Sequence, residues 1–219
     1  MPHNLFAFSS YDFNYPKFFE YLINLEKELK NNHKYNRAAH KVVAGWRGLF
    51  QRCCEDDKII PHPEVSMHPD EVFQYEMTIN EQEMLLHFFI PVLRRYANNL
   101  QEYEVSVSKF LSGGDITFSE TDTWEDPIST VPIYVVPFAV GGYKGLVVDG
   151  NHRLTGAVKH KRETIKAICF PPQIVTTALG SLFEVYIYGL VTDINTAIRL
   201  PRFSLVKKKE FFLTMCLQN

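Results

Sequence analysis

The stretch that most constrains this chain is Val147 to Ala157, VVDGNHRLTGA. The apolar run Gly145-Leu146-Val147-Val148 reads as a strand that delivers the chain to Asp149. Asp-Gly is a turn dipeptide, and Gly150 tolerates backbone angles closed to other residues. The residues that follow are compatible with a helix. Gly156 and Ala157 are small enough for that helix to lie close against a sheet. The pattern predicts a strand ending at Asp149, Gly150 in the turn and a helix over Asn151 to His160.

A turn of this kind suits an anion. The first amides of a helix have no partner within the helix, and its N-terminus carries the positive end of the dipole. Arg153 adds a planar donor fork matched to phosphate or carboxylate. His152 can donate a hydrogen bond or shuttle a proton near neutral pH. Asn151 lies in the same turn, and Thr155 adds a hydroxyl one helical turn on. The phosphates of a nucleotide are the anion this set suits best. A plainer reading uses the same residues: Asp149 or Asn151 caps the helix, while His152 and Arg153 are solvated or paired.

The 219 residues suffice for one large domain or one domain with an appendage. Up to about residue 100 the hydrophobic periodicity is mainly helical. Residues 16–31 place Phe19, Leu22, Ile23, Leu25 and Leu29 among Lys and Glu, and Pro16 suits a helix start. Residues 36–54 repeat the pattern with Val42, Val43, Trp46, Leu49 and Phe50. Residues 59–69 carry three prolines and read as a loop. Asn80 and Glu83 have the spacing of a capping box, which predicts a helix running through Leu85 and Phe89 towards Tyr96, with Pro91 kinking it.

Beyond residue 100 the pattern changes. YEVSVSKFL, VPIYVVPFAV, Lys144 to Val148 and ETIKAICF read as strands, and the polar residues 112–130 as loops. A final helical stretch is expected over 173–199, broken near Gly180 or Gly189. The predicted organisation is α+β: a helical N-terminal region, 1–100, then an α+β domain with a C-terminal helical extension, 101–219.

Composition narrows the function classes. A net charge of −2 and a pI of about 6.4 give no general attraction for nucleic acid, so nucleic acid is possible but not favoured. Four scattered cysteines without a CxxC pair suit neither a disulfide scaffold nor a structural zinc site, and read as reduced thiols of a cytoplasmic protein. No signal peptide is expected, and no apolar run reaches the roughly 20 residues of a membrane span. His62 and His68 with Glu64 sit in a proline-rich setting that gives metal ligands no fixed geometry. Arg94-Arg95-Tyr96 and Lys207 to Lys209 read as solvated surface, with phosphate contact as the other reading.

The run VVDGNHRLTGAVKHKRETIKAICF resembles the signature of the ParB/sulfiredoxin superfamily. Its members carry a strand, then D-G-x-H-R or G-x-x-R, a short helix with small residues, and a strand of the form I-x-A. The preceding PIYVVP resembles the family's P-I-x-V strand. The likeness covers roughly residues 102–172 and is sharpest over 147–169. It does not reach the first hundred residues.

The resemblance implies a small mixed sheet with helices of the ParB/sulfiredoxin type. It implies a nucleoside triphosphate or diphosphate with Mg²⁺ over Gly150, Asn151, His152, Arg153 and Thr155. Asp149 would bind Mg²⁺ or act as base, with His152 as the second catalytic candidate, and Arg153 would neutralise charge developing on phosphoryl oxygens. The superfamily includes partition CTPases, ATP-using sulfiredoxins, a free serine kinase and proteins described as nucleases, so ATP- or CTP-dependent phosphotransfer or NTP hydrolysis is the reaction class implied. Two departures matter. Asn151 stands where sulfiredoxins carry the reactive cysteine, so sulfinic acid reduction loses its nucleophile. No basic recognition helix follows Phe170, and the His152-Arg153 pair resembles the kinase and sulfiredoxin turn more than the partition form. Two other readings remain open: a non-catalytic module for nucleotide or nucleic acid whose N-terminal helices hold a protein partner, and a ParB-like nuclease.

Overall fold

The computed structural model describes residues 14–32, 35, 39–55, 71–122, 130–139 and 142–199. His62, Glu64, His68, Lys207 to Lys209 and Cys216 lie outside these residues, as do the side chains of Cys53 and Cys54. The fold is mixed α+β, with two N-terminal helices ahead of the strands. It comprises two compact units, and neither is a continuous piece of chain.

The first unit contains α1 (Tyr15–Asn31), α2 (Ala39–Glu55) and α6 (Leu182–Arg199). Asn14 caps α1 by accepting from the Lys17 amide at 2.9 Å, and Pro16 occupies its first turn. Phe18, Leu22 and Leu29 form the buried stripe of α1. α2 packs against both α1 and α6 through Val43, Trp46 and Phe50, all fully buried. The Phe18 and Phe50 rings meet edge to face, 5.0 Å between centroids. The Trp46 indole would bury an unsatisfied donor here. Instead its Nε1 donates to the buried Asp193 carboxylate at 2.9 Å.

α6 opens with a reciprocal cap. The Ser181 hydroxyl accepts from the Glu184 amide at 3.2 Å, and the Glu184 carboxylate reaches back to the Gly180 amide at 3.3 Å. Ser181 and Glu184 are both buried, and the spacing is that of a capping box. The break expected near Gly180 is therefore real, and the helix runs on unbroken through Gly189.

The helix expected from Asn80 is a β-hairpin instead. β1 (Val72–Ile79) and β2 (Gln82–Phe89) pair across a two-residue turn, followed by the short helix α3 (Ile90–Ala97). Asn80 has φ +49° and Glu81 φ +63°, the left-handed pair of a type I′ turn. Asn accepts that conformation readily, and Val72, Phe73, Tyr75 and Ile79 are strand formers. Ladder pairing thus outweighs the local capping signal. Pro91 lies in the first turn of α3, where it starts a helix rather than kinking one.

The second unit, Glu71–Phe73 with His87–Leu179, holds a five-stranded mixed sheet. Its strands are β3 (Glu102–Ser106), β4 (Ile116–Thr117), β5 (Ile133–Pro137), β6 (Gly145–Asp149) and β7 (Thr164–Cys169), in the order β3-β7-β5-β6-β4. β3 is antiparallel to β7, β7 parallel to β5, β5 antiparallel to β6 and β6 parallel to β4. The strand expected over 102–110 stops at Ser106 and tightens into a 3-10 turn, Val107–Phe110. The polar stretch 112–130, expected as loop, contributes the two-residue β4. α4 (Asn151–Lys159) covers the sheet through Leu154, which joins Phe110, Ile133, Val135, Val147 and Ala167 in one buried cluster. α5 (Pro172–Val175) follows β7.

The division expected near residue 100 differs from the observed one in two respects. α3, within the expected first region, belongs with the sheet. The last helix, α6, belongs with α1 and α2 rather than with the sheet. Among the described residues no helix is long and apolar enough to cross a membrane.

Ser181→Ala removes the buried acceptor for the Glu184 amide at the start of α6. The expected loss is about 1 kcal/mol in a denaturant melt, the usual cost of deleting a serine cap.

Candidate functional site

β6 ends at Asp149 and α4 starts at Asn151, with Gly150 between them as the N-cap residue. This is the strand–turn–helix expected from the sequence, one residue shorter at its end because His160 is the C-cap. Gly150 has φ +88°. A Cβ there would lie 2.6 Å from Ile133 Cγ2 and 2.8 Å from an Arg153 guanidinium nitrogen. Glycine is therefore required twice: by the left-handed backbone and by the close approach of β5. The pairing of β5 with β6 is irregular at the same place. Tyr134 faces Asp149 while Val135 faces Val147, so β6 carries one extra residue just before its last. Such a bulge re-aims the side chains that follow it, here Asp149.

Gly150 brings no capping side chain, and the first turn of α4 carries no acidic residue. The first intrahelical bond runs from the Leu154 amide to the Gly150 carbonyl. The positive end of the dipole therefore meets its surroundings through the turn at 150–153.

The side chains named from sequence fall into three groups. Arg153 folds back over the turn. One guanidinium nitrogen donates to the Asp149 carboxylate at 3.2 Å and to the Pro132 carbonyl at 3.3 Å, with the Arg153 side chain 14% exposed and that of Asp149 31%. His152 is exposed on the first turn. Asn151 and Thr155 face inward and hold the loop after β4. The Asn151 side-chain oxygen accepts from the Ser119 amide at 3.0 Å, and the Thr155 hydroxyl accepts from the Thr121 amide at 3.2 Å. They sit one turn apart on the same buried face of α4, so their side chains shape the site rather than line it.

Two residues that the sequence did not place at the turn complete the cluster. Tyr134, opposite Asp149 on β5, stacks edge to face on Phe170 at 5.1 Å. Burial, and next the Asp149 charge, push its phenol above the ordinary value against the pull of Arg94 and Arg153, so it stays a neutral donor. Arg94, on α3, grips Glu71 through two nitrogens at 2.6 and 3.4 Å. Its hydrogen bond to Glu71 holds the guanidinium above its usual value, with smaller contributions from Tyr134 and Asp149. Two guanidiniums therefore act on one phenol beside one carboxylate. The PIYVVP strand carried a signal for Tyr134. Arg94 carried only its place in an Arg-Arg-Tyr run.

Two further carboxylates of the second unit are engaged by lysines. Asp115 pairs with Lys144 at 3.0 Å and Lys109 at 3.5 Å, which holds its carboxyl below the usual range; Glu102 pairs with Lys166 at 3.4 Å. Cys169 is an exposed thiol whose titration is pushed up by partial burial of its sulfur environment, the opposite of an activated nucleophile. Among the described residues no three His, Cys, Asp or Glu side chains gather as a metal-binding group. Among the described residues Asp149 is the carboxylate that Arg153 holds at the turn, so a divalent ion here would rest mainly on the oxygens of the anion it accompanies.

The chain matches no protein-family model, no curated protein and no solved structure.

Gly150→Ala tests the turn directly. A left-handed alanine with its Cβ against Ile133 is expected to cost about 2–4 kcal/mol in a denaturant melt. Unchanged stability would show that the turn relaxes without glycine.

Proposed function

We propose that this chain is a nucleotide-binding protein of the ParB/sulfiredoxin type, with the phosphates of a nucleoside triphosphate or diphosphate seated over Gly150 to Arg153. The observation that carries the reading is the conformation of Gly150. It sets the uncapped start of α4 at the end of a buried strand, with Arg153 beside it. Backbone amides, helix dipole and guanidinium then converge on one anion. The resemblance of VVDGNHR and PIYVVP to that superfamily supplies the ligand class.

Within this proposal the side chains have separate tasks. Arg153 binds a phosphate oxygen, trading its contact with Asp149 for one with the ligand. Asp149, once released, would be the protein ligand of the metal that accompanies the phosphates. Mg²⁺ fits, because one carboxylate with phosphate oxygens is a hard donor set. It would supply charge neutralisation of the phosphates. His152, exposed on the first turn, is placed to donate to the ligand or carry a proton. Asn151 and Thr155 act at one remove, by fixing the loop at Ser119 and Thr121 beside the turn.

A second reading, a nucleotide-binding module without phosphoryl transfer, is favoured by one observation. Asp149, the base candidate at the turn, is already engaged by Arg153 at 3.2 Å. Binding and turnover are therefore assayed separately.

A thermal-shift panel of ATP, ADP, CTP and GTP with Mg²⁺ is expected to reveal one preferred nucleotide. At 100 times its dissociation constant a ligand adds about 2.7 kcal/mol to stability. Arg153→Ala then lowers affinity for that nucleotide roughly tenfold to over a hundredfold, since a charge-assisted hydrogen bond contributes roughly 1.5–3 kcal/mol. Lysine rescues only part, because it keeps the charge and loses the fork. Equal affinities with unequal stabilities would assign Arg153 to the scaffold and remove phosphate from the turn.

A further inference from the structure

The far end of α4 carries a second feature that the nucleotide reading leaves unused. α4 closes in a Schellman arrangement: the Arg162 amide bonds the Ala157 carbonyl at 2.9 Å and the Lys161 amide the Val158 carbonyl at 3.0 Å. Lys161 occupies the left-handed position, φ +54°, that usually falls to glycine. This closure fixes where Lys161 and Arg162 leave the helix. They border an open groove of about 600 Å³, with Ser106 and Ser108 among its other polar residues and Val107 and Val158 among its apolar ones. The two serine hydroxyls lie 2.8 Å apart.

The state of the charges singles out this place. In the second unit Arg94, Lys109, Lys144, Arg153 and Lys166 each face a carboxylate. Lys161 and Arg162 are exposed neighbours, and among the described residues neither side chain has an ion-pair or hydrogen-bond partner. Glu163 lines the same groove yet forms no ion pair with either. The helix end does not need the two cations, since its carbonyls are satisfied by the backbone closure.

We infer that this groove is a second anion site, which takes a small phosphate monoester. The phosphate would meet Lys161, Arg162 and the hydroxyl pair. Its organic group would lie on Val107 and Val158. Two adjacent cations and two hydroxyls match a dianion with several acceptor oxygens. The volume is that of a small-molecule site. Glu163 disfavours an extended polyanion, which would run past it. The site stands apart from the turn at 150–153, at the opposite end of the helix, and holds whether or not that turn binds a nucleotide.

The test is calorimetric titration of the full chain with phenyl phosphate, with phenol as control. The double variant Lys161→Asn, Arg162→Gln removes both charges, and asparagine tolerates the left-handed backbone, so the fold is kept; a thermal melt checks this. Phenyl phosphate is expected to bind and phenol not to. The double variant should lose at least tenfold in affinity. Overturning results are the absence of binding at millimolar phenyl phosphate, or equal affinity in the folded double variant, which would move the ligand away from this groove. Tighter binding of a single-stranded oligonucleotide, also abolished by the double variant, would overturn the small-ligand assignment.

Discussion

The end of β6 depends on one close approach. Gly150 passes Ile133 so tightly that a single added carbon would overlap it, and it does so with a positive φ. Much of the site follows from that contact. It lets α4 start immediately after a buried strand and lets Arg153 fold back over the turn to Asp149. It also brings Tyr134 of the neighbouring strand alongside. Remove the approach and the helix start moves away from β5, leaving the same residues without a common focus.

α4 then works as a spacer with two differently built ends. Its buried face is committed. Leu154 enters the sheet core, while Asn151 and Thr155 bind backbone amides of the loop after β4. These amides would be costly to leave unsatisfied, which is reason enough for polar residues on an inward face. The N-terminal end has a dipole, a guanidinium and a carboxylate held close together. At the C-terminal end Lys161 and Arg162 have no carboxylate partner among the described residues. Under the two proposals, an anion at the first end would compete with Asp149 for Arg153, and one at the second would meet two cations that no carboxylate pairs with, beside Glu163.

What the sequence made legible follows the range of the interactions involved. The turn at Gly150 was readable because a strand, a glycine and small helix residues stand next to one another, and each constraint is local. The four longer strands of the sheet were readable for the same reason, β3 by alternation and β5 and β6 as apolar, β-branched runs. The hairpin was not. Asn80 and Glu83 have the spacing of a helix cap, yet Asn80 and Glu81 take left-handed angles because β1 and β2 satisfy each other, and that pairing outweighs the local signal. The partnership of α6 with α1 and α2 rests on contacts such as Trp46 to Asp193, 147 positions apart, which no local pattern encodes. Arg94 was named only as solvated surface or a phosphate contact, and its pairing with Glu71 was not legible for the same reason. Asn151 and Thr155 were legible as polar residues near the turn, but whether they faced a ligand or a loop depended on where the chain after β4 ran.

The most direct measurement at the turn is an amide-resolved NMR titration of the isotopically labelled chain with the preferred nucleotide and Mg²⁺. Phosphate seated over the start of α4 shifts the backbone amides of Gly150, Asn151, His152 and Arg153 first and furthest, together with the Arg153 side-chain resonances. Saturation with those amides unmoved, and the largest shifts elsewhere in the chain, would contradict the placement of a nucleotide phosphate at this turn.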